Sequence, residues 1–197
     1  MSGDMSIGQF KHTLDQFRTL RDERPKEEKW ELAGSPVMLP PPKLGHQRIA
    51  AVLMELLNAN LASSKPEWEA NMEIGLLTED ETYNPEPDVT VIDRGTPSDQ
   101  TYASRFYFVA EILSPSDKPK VLALKRGYYE AHESCLGVIF VQPDKVAAEL
   151  LVRKKGWRSR ELITADDRIV IPEIGDIGAF IDLYRRTELH PSWQRTV

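Results

Sequence analysis

A single cysteine, Cys135, stands in the 197 residues, so the chain can form no intrachain disulfide and no cysteine-rich zinc cluster, which fits a reducing compartment. Beside the apolar run that begins at Leu136, its expected role is packing. Long apolar runs are missing too. Nothing approaches the roughly 18 residues of a membrane span, and the charged, glycine-containing N-terminus lacks the apolar stretch of a secretory signal. A cytoplasmic protein without membrane contact is therefore expected. No phosphate-binding loop, dinucleotide fingerprint, H-E-x-x-H or G-x-S-x-G occurs, which removes support for the common nucleotide hydrolases, zinc proteases and serine hydrolases. Positive charge is short as well: a net charge of −6 and a pI near 5.3 argue against gripping nucleic acid by bulk charge.

The charge that is present is unevenly spread. Residues 67 to 117 carry 12 acids against 2 bases, whereas residues 118 to 160 carry 10 bases against 4 acids. An acidic, metal-binding half beside a basic half is an arrangement that phosphodiester cleavage can use. With 41% hydrophobic and 28% charged residues the composition suits one domain with a substantial core. An N-terminal helical segment is expected within residues 1–24, on Phe10, Leu14, Phe17 and Leu20, with a single domain over residues 25–197.

The chain is organised around the stretch from Asn84 to Tyr129, which holds two apolar runs, each with one carboxylate. Val89 to Ile92 is β-branched and is entered through Pro87 and Asp88, which suits a strand. Phe106 to Leu113 is apolar at almost every position, so both its faces should be covered and the strand should be central; Glu111 is the exception inside it. If the runs pair antiparallel with Asp88 opposite Glu111, the turn falls near Asp99 and Gln100, in a segment rich in Gly, Pro, Ser and Asp. Directly opposed Cβ atoms lie roughly 5 Å apart. Two carboxylates that close, partly buried, require a proton or an intervening cation, and Mg2+ or Mn2+ suits a pair of hard oxygen donors. After Ser114 and Pro115, a helix capped by Ser116 or Asp117 is expected to run to about His132, with Lys125 and Tyr129 on one face. Asp88, Glu111 and Lys125 can then form one site.

This order, Pro-Asp-Val, then Glu111-Ile-Leu-Ser-Pro-Ser, then Lys125 fourteen residues after the glutamate and Tyr129 four further on, resembles the Uma2 (DUF820) group of restriction-endonuclease-like proteins within the PD-(D/E)XK nuclease superfamily. Upstream, Trp30-Glu31-Leu32-Ala33-Gly34 is similar to the family's opening Y-E-L-x-D-G motif, and Met38 through Pro42 followed by His46 extends the likeness. The resemblance implies an α/β (α+β) fold, a restriction-endonuclease-like core with a mixed central sheet flanked by helices. It also implies Asp88 and Glu111 as metal ligands and Lys125 as the replacement for the lysine usually found two residues after the acid. Four features depart from the pattern: Val121 stands where an acid is common, Val138 through Pro143 replaces Y-W-L-V-D-P, the opening motif is one residue short, and Ser35 stands where a second glutamate is usual.

The preferred reading is a metal-dependent endonuclease acting on DNA, with a homodimer suggested by the N-terminal amphipathic helix and by the need to cut two strands. Two alternatives stay open. One is a non-catalytic relative that binds nucleic acid or a protein; the other is a structural Glu111–Lys125 ion pair with no chemistry. Glu31, Glu73, His46 and Tyr129 are further candidates. For Glu31 and Glu73 a solvated surface acid is the simpler account, for His46 a capping or packing role, and for Tyr129 support of the site or packing.

Elsewhere, Leu44 to Leu61 reads as an amphipathic helix, Lys65 to Asn71 as a loop, Met72 to Leu77 as a strand and Leu136 to Val141 as a buried strand. A C-terminal β-hairpin extension is expected, its arms Ala147–Arg153 and Trp157–Ile163 bracketing the basic turn Lys154-Lys155-Gly156. A short strand, Ile169–Ile171, and a helix over Ile177–Tyr184 complete the chain, before a tail in which Trp193 can dock.

Overall fold

The structure, a computed structural model, describes residues 13–25, 29–33, 36–39, 41–77, 83–114, 117 and 119–193. The expectations placed on residues 1–8, Phe10, Gly34, Ser35 and Ser116 lie outside them.

In chain order the elements are α1 (Leu14–Asp22), β1 (Lys29–Ala33), β2 (Pro36–Leu39), α2 (Leu44–Ser64), β3 (Trp68–Met72), β4 (Gly75–Leu76) and β5 (Tyr83–Asn84). There follow β6 (Val89–Asp93), β7 (Tyr102–Ala103), β8 (Phe108–Ile112), α3 (Pro119–Ala131) and β9 (Gly137–Val141). The chain continues through β10 (Ala148–Val152), β11 (Ser159–Leu162), β12 (Arg168–Ile171) and β13 (Gly175–Ala179), with 3-10 turns at Arg153–Lys155 and Phe180–Tyr184. None of the described helices is long and apolar enough to cross a membrane.

Two compact units emerge. The smaller comprises residues 1–41 and 77–85. In it α1 begins at a capping box, where Thr13 and Gln16 satisfy each other's backbone donors. Strands β2, β1 and β5 form an antiparallel sheet, and Phe17 and Leu32 are fully buried with Trp30 and Leu77 against them.

The larger unit, residues 42–76 and 86–197, is built on a six-stranded sheet ordered β11-β10-β9-β8-β6-β3. It is mixed: β8 and β9 run parallel, and the other neighbours run antiparallel. The expected central strand is central, with every residue of β8 buried. Helix α2 covers one face through Ile49, Leu53, Leu57 and Leu61, an i, i+4 stripe that packs on Val89, Val91, Phe108 and Ala110. On the opposite face α3 packs Tyr129 and Leu122 against Ile92, Val109, Val138 and Phe140. Truncating one of these fully buried leucines to alanine costs about 2–5 kcal/mol.

Three local differences from the sequence reading have physical causes. The segment read as a loop before Asn71 holds β3, an edge strand. Its charged alternation is a solvated edge, and Asn58 clips that edge by donating to Ala70 O at 3.0 Å and accepting from Ala70 N at 2.9 Å. The connection from β6 to β8 is not a simple hairpin, because β7 leaves it to pair in parallel with β4. The expected helix over Ile177–Tyr184 is β13 followed by a 3-10 turn, since Gly178 has φ 144°, which a helix cannot accommodate. The expected C-terminal β-hairpin is present as β10 and β11 and extends the central sheet beyond β9.

At that hairpin's turn Gly156 takes the left-handed conformation, φ 66°. Arg153 is taken up by the fold: its guanidinium donates to the carbonyls of Cys135, Glu130 and His132 and lies over Trp157, stapling the end of α3 to the hairpin. Lys154 and Lys155 remain exposed. In the tail, Arg48 of α2 stacks over Trp193, 5.4 Å from the ring centroid.

Candidate active site

Strands β6 and β8 pair Val89 with Ala110, Thr90 with Val109 and Val91 with Phe108. One step further along this register, Asp88 comes opposite Glu111, the pairing that loop composition predicted. Because side chains alternate, and Ile92 and Val109 face α3, Asp88 and Glu111 share the α3 face. Both are nearly buried, at 8% and 6% exposed.

Each carboxylate has named donors. Asp88 Oδ2 accepts from the backbone N–H of Ile112 at 2.7 Å, tying the mouth of β6 to the end of β8. Asp88 Oδ1 lies 2.9 Å from His46 Nε2 in the first turn of α2. An ionised carboxylate only accepts, so this contact assigns the hydrogen to Nε2. Glu111 is held from α3: Lys125 Nζ stands 3.1 Å from Oε1 and 3.2 Å from Oε2, and the Tyr129 hydroxyl donates to Oε1 at 2.5 Å. Lys125 and Tyr129 are one helical turn apart and point together at the sheet, both buried. Two desolvated carboxylates side by side thus receive the compensation that electrostatics demands from an ammonium, an imidazole, a phenol and a peptide N–H.

The family model for Uma2, described as "Putative restriction endonuclease", matches residues 14–181. The chain belongs to the Uma2 family. Its fold is also that of a crystal structure described as "a putative nuclease belonging to DUF820" from Anabaena variabilis ATCC 29413: the two superpose with a TM-score of 0.72 at 17% identity, covering 88% of this chain and 98% of the other. No curated protein matches the chain.

In this Uma2 chain, Asp88, Glu111, Lys125 and Tyr129 converge as the sequence reading placed them. His46, which that reading kept as a further candidate while favouring a capping or packing role, is a direct partner of Asp88. The usable signal was its position at the start of the long helix, the third residue of α2. Glu31 lies on β1 of the smaller unit. Glu73 follows β3 directly, exposed and at φ 54°.

The donor set bears on whether a metal suits this place. Among the described residues no group of three or more His, Cys, Asp or Glu side chains forms a ready cage. What the site offers is two carboxylates of adjacent strands, all hard oxygen donors. That fits Mg2+, which keeps several waters and is bound through one or two carboxylates together with substrate phosphate.

Proposed function

We propose that this Uma2 chain is a metal-dependent endonuclease that hydrolyses DNA phosphodiester bonds at Asp88, Glu111 and Lys125. The observation that carries the reading is the register of β6 on β8, which sets two nearly buried carboxylates face to face beneath a buried lysine. Asp88 and Glu111 would hold Mg2+ or Mn2+, which when bound supplies a more acidic water and stabilises charge on the scissile phosphate. Lys125 places its ammonium at the carboxylate pair, where it can orient the attacking water and offset negative charge that grows on the phosphate oxygens. Tyr129 fixes the rotamer of Glu111, and His46 that of Asp88, so that both acids keep their aim when a polyanion approaches. Action on DNA in the cytoplasm, and a homodimer so that both strands are cut, belong to the same proposal; a monomeric mass in light scattering would remove the dimer.

Calorimetric titration of Mn2+ into the protein and into Asp88→Ala, followed by incubation of both with supercoiled plasmid, tests the reading. Heat of binding and nicking should be present in the first and absent from the second. Nicking retained by Asp88→Ala would overturn it.

One observation favours a second reading, a catalytically degenerate relative that binds nucleic acid or a protein. Every carboxylate oxygen of the pair already has a protein donor, so the site is satisfied without an ion. Absence of any Mn2+ heat in the wild-type protein would decide for it.

A further inference from the structure

We propose that the cavity at Phe140, Glu149 and Glu161 is a base-binding subsite, which takes one unstacked nucleobase bearing an exocyclic amino group from the strand whose phosphate lies at Asp88 and Glu111. This deepens the nuclease reading and rests on it for the position of the phosphate.

The central sheet carries the argument. Glu111 pairs with Phe140 across β8 and β9, Phe140 with Glu149 across β9 and β10, and Glu149 with Glu161 across β10 and β11. Residues directly paired point to the same face, so Asp88, Glu111, Phe140, Glu149 and Glu161 form one transverse row under α3. At a strand spacing of about 4.8 Å, Glu149 stands about 10 Å from Glu111, the reach of one nucleotide from its phosphate. A cavity of about 410 Å³ opens on the far half of that row, with Phe140 and Ile163 on its apolar part and Gln142, Lys145, Glu149, Ser159 and Glu161 as its polar groups. The volume falls within the roughly 300–1,000 Å³ of small-ligand sites.

The chemistry of the lining selects the occupant. Glu149 and Glu161 oppose each other directly, a like-charge pairing that destabilises a sheet unless a donor or a cation relieves it. Arg126 relieves one of the two, with Nη1 3.0 Å from Glu149 Oε1. Glu161 has no hydrogen-bond or ion-pair partner among the described residues. A carboxylate accepts and never donates, so Glu161 takes the exocyclic amino group of cytosine, adenine or guanine, while Lys145 and Gln142 complete the polar wall. Thymine has no amino group and offers Glu161 only its N3–H, flanked by two carbonyl acceptors, so it binds less well there. The apolar part of the lining meets the base itself, whose exposure from the stack is what a single-stranded or flipped nucleotide provides.

Fluorescence anisotropy with labelled oligo(dC), oligo(dA) and oligo(dT), in EDTA so that no cleavage occurs, tests this on wild type and Glu161→Gln. Glu161 is exposed, so the substitution should leave the circular dichroism spectrum unchanged, and removal of the like charge facing Glu149 should not lower the Tm. The wild type should bind oligo(dC) and oligo(dA) about tenfold more tightly than oligo(dT), the scale of one good base contact, and in Glu161→Gln that ratio should fall towards one. Equal affinity for all three, a ratio unmoved by the substitution, or no binding of any of them overturns the proposal. So does a second Mn2+ equivalent lost in Glu161→Gln without base preference, which would make the cavity a cation site. Plasmid nicking in Mg2+ separates the two levels: nicking without base preference keeps the nuclease and sinks the subsite, while preference without nicking keeps the subsite and sinks the catalysis.

Discussion

His46 Nε2 and Asp88 Oδ1 lie 2.9 Å apart, joining the first turn of α2 to the mouth of β6. The contact brings a second element to Asp88, whose other carboxylate oxygen accepts from the N–H of Ile112 on β8. Residues that orient a metal-ligating side chain typically influence affinity or activity by 10–100-fold. His46→Ala should therefore weaken Mn2+ binding by about tenfold or more, and His46→Gln, which keeps a donor, should recover part of it. Unchanged calorimetric affinity in His46→Ala would make the imidazole a packing group.

Lys125 and Glu111 form an ion pair, 3.1 Å from Nζ to Oε1, and both groups are buried. Lys125→Met leaves the Glu111 carboxylate in the interior without this ammonium, at a cost of about 3–5 kcal/mol. Urea denaturation of Lys125→Met, Glu111→Gln and the double variant should show the double variant more stable than the sum of the singles predicts. Added Mn2+ should restore stability to Lys125→Met more than it adds to wild type, because the ion would then supply the missing charge. Additive losses with no response to Mn2+ would argue against both statements.

A pH dependence resides elsewhere, in the loop between β11 and β12. Asp167 accepts from the N–H of Thr164 at 2.9 Å, from the N–H of Ile163 at 3.0 Å and from the Thr164 hydroxyl at 2.9 Å, and these bonds hold its carboxyl down at about 2. A lowered folded-state value means stability that is present above the ordinary carboxylate range and is lost as pH falls through about 2. The stability gap between wild type and Asp167→Asn should thus be constant near neutrality and narrow between about pH 4 and 2. A gap of equal size at pH 2.5 would show that the ionised carboxylate is not its source.

Cys135 is fully buried, and desolvation pushes its thiol up to about 12. Since the thiolate is the reactive form, the folded protein should react with a disulfide reagent far more slowly than the protein in urea. Rapid labelling under native conditions would mean that the β9 end of the sheet opens locally.

Within the elements that build the site, local pattern carried a great deal. The β-branched run after Asp88, the unbroken apolar run around Glu111 and the turn-rich segment between them sufficed for the pairing of β6 with β8, because strand register is a one-dimensional property with period two. The i, i+4 spacing of Lys125 and Tyr129 placed both on one face of α3 for the same kind of reason. Only the tertiary structure decided that Lys125 reaches Glu111 as a buried pair, that His46, 42 positions before Asp88, meets its carboxylate, and that Glu149 and Glu161 continue the row begun by Asp88 and Glu111. Those contacts depend on how helices cross a sheet and on which strands become neighbours. Such choices are settled by packing complementarity over the whole core, and no window of neighbouring residues contains them.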